Sequence, residues 1–372
     1  MNILVVLGTR PEAVKMAPVI RALRAHPAGP SVELCLTAQH RDLLDQALAL
    51  FDLPVDYDLN LMRPDQSLSG LTGAVLAGLE PILVSERPDL VLVHGDTTTS
   101  FTAALSAFYH QIPVGHVEAG LRSHHPGQPF PEELNRRMTD ALASHHFAPT
   151  EGARDNLIRE NIDPSRILVT GNTVVDALLF AAALPCPVTD PRLEALGRER
   201  DLILVTAHRR ESFGAPFLEI CRALRTLVDQ HPNVEIAYPV HPNPKVYDAA
   251  RKLLGGHDRI HLLQPLEYLP FVHLMKRARL ILTDSGGIQE EAPSFGVPVL
   301  VLRHVTERPE AVAAGTARLV GTHHDTIVAA ASELLIDCPA RARMVQTGNP
   351  FGDGQAGQRI ADYLMQRERR TP

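Results

Sequence analysis

Short apolar runs rich in Val, Ile and Leu recur along the chain. Between them lie longer stretches in which apolar positions return every three or four residues. A first series of runs falls at residues 3–7, 32–37, 90–94, 113–117, 146–149 and 167–170. A second series falls at 202–206, 234–239, 260–263, 280–283 and 298–302. Runs that are apolar at every position, rather than alternating, belong to parallel sheets covered on both faces. The helical period is clearest at 11–26, 68–86, 132–143, 217–230, 269–277 and 355–367. This strand–helix alternation runs twice, which predicts an α/β protein of two Rossmann-like, doubly wound domains.

The segment Leu184-Pro-Cys-Pro-Val-Thr-Asp-Pro191 carries three prolines in eight residues, immediately before the second series begins. The expected division is therefore an N-terminal domain at 1–170, a linker and crossover at 171–200, a second domain at 201–354 and a terminal helix in 355–372. A length of 372 residues exceeds the usual size of one domain, in keeping with two. Hydrophobic content of 45% and charged content of 21% suit a folded soluble chain. No apolar run reaches the roughly 18 residues of a membrane span, and the start MNILVVLGTRPE lacks the features of a signal peptide. The four cysteines, Cys35, Cys186, Cys221 and Cys338, show no C-x-x-C spacing. That argues against a disulfide framework or structural zinc and fits a reducing cytoplasm. A net charge of −7 without a Lys/Arg-rich run argues against nucleic-acid binding.

In open α/β sheets ligands bind beyond the carboxyl ends of the strands, so the polar residues just after each run are the ones to inspect. After the first run come Gly8, Arg10 and Lys15, two cations near the start of a helix whose N–H groups favour anions. Surface cations on an ordinary strand–turn–helix would look the same. Lys15 is one of only four lysines in the chain, with Lys245, Lys252 and Lys276. Three acids follow later ends: Asp96, Glu118 and Glu132. Asp96 could cap a helix and Glu132 could answer a helix dipole. For Glu118, which directly extends a buried-type run, the bland role is weaker. Carboxylates crowded in one place suit general acid/base work.

In the second half, His208-Arg209-Arg210 follows a run and reads as an anion or leaving-group site. Ser285, Gly286 and Gly287 open a helix as a phosphate cradle, Glu291 lies where ribose hydroxyls could be accepted, and Arg308 adds a cation at a loop–helix junction. Three patterns are set aside. The G-x-G-x-x-G at 352–357 has no βαβ unit after it, the pairs His124-His125 and His145-His146 lack the spacing of helical metal ligands, and no Walker A pattern occurs. The expectation is an enzyme with no metal and no cofactor.

The motifs GTRPEAVKMAP, TAQHR, HGDTTT, HVEAGLRS, PEELNRR, TGNTVVDAL, TAHRRE, ILTDSGGIQEEAPSFGVPVLVLR and TERPEA, taken in order, resemble the non-hydrolysing UDP-N-acetylglucosamine 2-epimerase family. The resemblance spans essentially the whole chain. It implies a GT-B-like pair of domains with the nucleotide sugar in the cleft between them, the second domain binding UDP and the final helix returning to the first. It implies reversible conversion of UDP-N-acetylglucosamine to UDP-N-acetylmannosamine, by elimination of UDP to 2-acetamidoglucal and re-addition, in the supply of surface polysaccharide synthesis by a homodimer. It places Asp96, Glu118, Glu132 and His208 in catalysis, Arg10, Lys15, Ser285, Gly286 and Gly287 on the leaving group, Phe271 at uracil, Glu291 at ribose and Arg308 near the diphosphate. Some members need UDP-N-acetylglucosamine as an activator. Here Asp42 and Asp65 stand where that site has a second glutamine and an arginine, beside Gln39, Arg209 and His241, so a vestigial activator site is expected. A GT-B glycosyltransferase, a hydrolysing epimerase and a non-catalytic nucleotide-binding regulator are the alternative readings.

Overall fold

The computed structural model describes residues 1–37, 41–61, 63, 66–186 and 191–368, with the backbone alone at 41–43, 210 and 368. In chain order the strands are β1 (Asn2–Leu7), β2 (Ser31–Leu36), β3 (Tyr57–Asp58), β4 (Leu90–His94), β5 (Val114–Val117), β6 (His145–Ala148) and β7 (Ile167–Val169). They continue with β8 (Asp201–Thr206), β9 (Val234–Pro239), β10 (Ile260–Leu263), β11 (Leu280–Thr283), β12 (Val299–Val301) and β13 (Ala317–Leu319). The first helices are α1 (Arg10–Ala25), α2 (Arg41–Phe51), α3 (Leu68–Glu86), α4 (Thr98–Tyr109), α5 (Glu132–Leu142), α6 (Glu151–Arg159) and α7 (Thr173–Ala183). After them come α8 (Pro191–Ala195), α9 (Ala215–Gln230), α10 (Pro244–Leu254), α11 (Tyr268–Arg277), α12 (Gly286–Glu291), α13 (Pro309–Ala313), α14 (His324–Ile336), α15 (Cys338–Val345) and α16 (Ala356–Glu368).

All strand pairs are parallel, in two sheets ordered β3-β2-β1-β4-β5-β6-β7 and β10-β9-β8-β11-β12-β13 among the described residues. Each order reverses once, between β1 and β4 in one sheet and between β8 and β11 in the other. At such a point the following loops run to opposite sides and leave room for a ligand. Those loops begin with Gly8 and Gly95 in the first sheet, and with Ala207 and Asp284 in the second. β1 is buried over Ile3, Leu4, Val5, Val6 and Leu7, which matches a strand with helices on both faces. α1 starts with Pro11 in its first turn, and buries Ala13, Met16, Ala17, Ile20 and Leu23 along one face. Two edge strands, β3 and β13, were not apparent in the sequence pattern; at two and three residues they are too short to show a period.

The chain divides into two compact units, Met1–Ala177 with Gly352–Pro372, and Leu178–Phe351. The first division falls inside α7, within the segment expected as linker. Helix α16 belongs to the first unit and packs on α1, where a Cβ on Gly357 would lie 2.8 Å from the Pro18 carbonyl. Contrary to the reading of the apolar runs, α3 is long and apolar enough by composition to cross a membrane, with a mean hydropathy of 1.5. Its Leu71, Val75, Leu79, Ile82 and Leu83 instead join a core with α4 and the first sheet.

Candidate functional site

In the first unit the site is built on the backbone of Glu118, the residue after β5. Its φ is 65°, a left-handed conformation that a glutamate adopts only when its surroundings impose it. Gly120, two residues on at φ 84°, completes the turn: a Cβ there would lie 2.3 Å from the Ala153 carbonyl oxygen. The turn delivers the Glu118 carboxylate to Lys15, which donates to Oε2, and to Asn172, whose Nδ2 donates to the same oxygen at 3.0 Å. His94 Nε2 lies 3.6 Å away. Burial would by itself raise the Glu118 carboxyl. The Lys15 ammonium and then His94 overcome it and hold the group well below the usual carboxylate range.

Asp96 follows Gly95 after β4 and is paired with Arg136 of α5. Asn135 Nδ2 donates to its carbonyl at 3.0 Å. Glu132 opens α5, and its Oε2 is buried without a hydrogen-bond partner among the described residues. Neighbouring Glu133 is fully buried and accepts from Ser123 N at 2.9 Å. Arg10 begins α1, half-buried. The loops after β1 and β4 are tied together by buried Glu12, which accepts from Gly8 N at 3.0 Å, Thr9 Oγ1 at 2.7 Å and Thr97 Oγ1 at 2.8 Å.

In the second unit the fully buried Asp284, just after β11, organises the loop after β8. Its Oδ2 accepts from the backbone N of His208 at 2.6 Å and of Arg209 at 2.7 Å, and its Oδ1 lies 3.4 Å from His208 Nδ1. The His208 ring stacks on His241, with centroids 5.4 Å apart and planes 8° apart. Desolvation lowers the His208 pKa, aided by His241 and Arg209 against Asp284, which favours the neutral ring. Ser285 stands at the N-cap position of α12, without a side-chain capping bond, and Gly286 opens the helix; Arg308 lies over Gly286 and is paired with Glu290. Gln289 joins Ser285 O at 3.1 Å to Thr306 Oγ1 at 2.6 Å, which fixes the Arg308 loop against the helix. Glu291 is buried and accepts from Tyr268 Oη at 3.2 Å; Phe271, on the same α11 as Tyr268, is half-buried.

Among the described residues no three His, Cys, Asp or Glu side chains gather as metal ligands do. Of the residues expected around an activator, Gln39 and Asp65 lie outside the described residues, and Asp42 is described by its backbone in α2 alone. Arg209 and His241 stand beside His208. Sequence reasoning passed over His94, Asn172, Glu12, His116, Asp140 and the positioning role of Asp284. The Glu118-Ala-Gly120 turn was the available signal, since a glycine three residues past a buried-type run marks a turn.

Two doubly wound units, each with ionisable side chains gathered at its switch point, define an enzyme of the GT-B-like class. A family profile described as UDP-N-acetylglucosamine 2-epimerase matches residues 21–365. The chain is 53% identical over 370 residues, 98% of each sequence, to UDP-N-acetylglucosamine 2-epimerase of Yersinia pestis. It is 52% identical over 377 residues, again 98% of each, to the enzyme of the same name from Escherichia coli strain K12. The crystal structure of UDP-GlcNAc 2-epimerase from Neisseria meningitidis bound to UDP-GlcNAc superposes with a TM-score of 0.89 at 47% identity, covering 98% of this chain and 100% of that one. The chain belongs to the UDP-N-acetylglucosamine 2-epimerase family, isomerases of the non-hydrolysing type.

Proposed function

We propose that the chain interconverts UDP-N-acetylglucosamine and UDP-N-acetylmannosamine by elimination and re-addition of UDP through an enzyme-bound 2-acetamidoglucal. The supporting observation is the Glu118 centre: a buried carboxylate kept ionised by Lys15 and fixed on a strained backbone. A base removes the carbon-2 proton while the carbon-1–oxygen bond to UDP breaks, leaving a carbon–carbon double bond and free UDP. Protonation of carbon 2 from the opposite face, with UDP adding back at carbon 1, gives the epimer. Opposite faces need separate acid/base groups, and Asp96, Glu118 and Glu132 are the side chains we assign to them. The unpartnered Oε2 of Glu132 supports that assignment, since a buried carboxylate oxygen without a donor is costly in a purely structural role. Arg10, Lys15, His208, Ser285, Gly286, Gly287 and Arg308 are assigned to the departing diphosphate, with Phe271 and Glu291 on uracil and ribose.

We further infer a homodimer. α4 packs against both α3 and α5, and each of the three leaves large apolar side chains exposed: Val84 on α3, Phe108 and Tyr109 on α4, Leu134 and Met138 on α5. Exposed apolar side chains on neighbouring helices are candidates for an association surface. The remaining readings are a cytoplasmic setting, product destined for surface polysaccharide synthesis, and turnover independent of a second UDP-N-acetylglucosamine, because the sequence has the acids Asp42 and Asp65 where the family's activator pattern has a glutamine and an arginine, and like charge disfavours a diphosphate.

Proton NMR of UDP-N-acetylglucosamine with the purified enzyme in deuterated water tests the chemistry. Deuterium should enter carbon 2 of the product, and of recovered substrate as equilibrium is approached. Product that retains its original hydrogen would overturn the elimination route.

A further inference from the structure

Behind the three proposed acid/base carboxylates lies a second, largely buried set of polar side chains that the reaction scheme does not use. His116 on β5 is wholly inaccessible. Its Nδ1 is 2.6 Å from Asp140 Oδ1, and its Nε2 is 2.8 Å from the Gly95 carbonyl oxygen. Both ring nitrogens therefore lie against oxygens, one of a carboxylate and one of a carbonyl. Asp140, on α5, is buried to the same degree. Its Oδ2 meets Arg122 Nη2 at 2.8 Å and accepts from Gly120 N at 3.3 Å. Arg122 continues to Glu160 through Nε at 3.0 Å and Nη2 at 2.7 Å.

The connectivity is specific. Gly95 immediately precedes Asp96. His116 and Gly120 bracket Glu118, at two residues on either side. Asp140 sits two turns along the helix that Glu132 opens. One carboxylate thus joins the backbone on which each of the three acids is mounted. The core of a parallel α/β unit is ordinarily apolar, and a buried ion pair adds little to stability over apolar packing of the same shape. Its retention here calls for a job that apolar side chains cannot do: fixing three loop origins to one another by directional bonds.

We propose that the His116–Asp140 pair, with Arg122, is the positioning unit of the acid/base centre, setting the relative placement of Asp96, Glu118 and Glu132. It touches no substrate. This inference rests on the reading of those three residues as acid/base groups. Its consequence lies in the balance between faces: disturbing the pair displaces the carboxylates relative to one another, so delivery of a proton to the two faces of carbon 2 should change unequally.

The experiment compares wild type with Asp140→Asn, which keeps shape and removes the charge, and Arg122→Lys, which keeps the charge and removes the fork. Folded, ligand-competent enzyme is counted by UDP titration. kcat and KM are then measured per competent molecule, and deuterium at carbon 2 is followed in recovered substrate and in product in deuterated water. The expected result is a kcat lower by about 10-fold or more at similar KM, since displacements near 1 Å cost up to about 10²-fold. The ratio of deuterium in recovered substrate to that in product should shift by at least about 3-fold, on the scale of a few tenths to one kcal/mol of differential misplacement. A merely structural pair would reduce the competent fraction and leave both kcat per competent molecule and the ratio unchanged, which would overturn the proposal. If Asp140→Asn does not fold, Arg122→Lys decides by the same readouts. Absence of deuterium in wild-type product would defeat the elimination reading alone, and the positioning proposal would then stand or fall on kcat against KM.

Discussion

Lys15 and Glu118 stand 103 positions apart in the chain and form one buried ion pair, with side chains 14% and 10% exposed. Because the folded carboxyl releases its proton at lower pH than in the unfolded chain, the pairing stabilises the fold fully above the ordinary carboxylate range. That contribution is lost only as pH falls through the depressed folded value. Glu118→Gln should lower kcat by about 10²-fold or more, the usual scale for removing an acid/base group. Lys15→Met removes the largest opponent of burial at Glu118 and leaves His94 and the Asn172 hydrogen bond, so the carboxyl moves up. The acid limb of the kcat/KM profile should move up with it, and an unmoved limb would separate Glu118 from the chemistry.

Asp96→Asn and Glu132→Gln should each reduce kcat by about 10²-fold or more while leaving thermal stability nearly unchanged. For Glu132 the reason is local: its buried Oε2 has no donor to lose among the described residues. Wild-type turnover in both variants would return the two acids to structural duty.

Asp284 and His208 should separate in the opposite way. Asp284→Ala strips the partly buried backbone N–H groups of His208 and Arg209 of their acceptor, which costs about 1–3 kcal/mol and should appear as a lower melting temperature. His208→Ala removes a side chain 41% exposed and should change stability by less than about 1 kcal/mol while reducing kcat. Equal stability losses would show that the loop after β8 does not depend on Asp284.

Gly120→Ala should be strongly destabilising, by about 2–4 kcal/mol, because φ is 84° and the new methyl would meet a backbone carbonyl at 2.3 Å. Gly127→Ala is the control, since its nearest neighbour to an added Cβ is a flexible His125 ring at 3.7 Å. Chemical denaturation of both variants checks the contrast.

Val84→Asp combined with Phe108→Asp should convert a dimer to monomers in sedimentation, because charge is placed in the exposed apolar stripes of α3 and α4. A dimer that survives the double substitution would locate the interface elsewhere.

Much of the fold was legible in the sequence. β4, β9, β10 and β11 fall at the residues where the apolar runs lie, because a strand buried on both faces writes its limits directly into composition. The division between units was less legible. Contacts divide within α7, inside the 171–200 segment expected as linker, but long-range contact leaves no local mark to place the point more closely. At the site, Asp96, Glu118 and His208 could be found from their position after strands. Asn172 and Asp284 could not be assigned their tasks, because their partners lie 54 and 76 positions away and neither residue type signals a role alone. His116 and Asp140 were hidden for the same reason: a histidine inside a run and an aspartate inside a helix read as ordinary until the β5–α5 packing brings them together.

The docking of α16 on α1 has a consequence for how the chain is made. Residues 356–368 leave the ribosome after the entire second unit, so that unit is complete while the first still lacks one wall. Until then α1 carries the surface around Pro18 uncovered, and Ile360, Ala361, Leu364 and Met365 have yet to arrive to cover it. Vectorial synthesis usually finishes the N-terminal domain first. Here the first unit waits on a segment encoded after the second, so it cannot be completed before the second has been made.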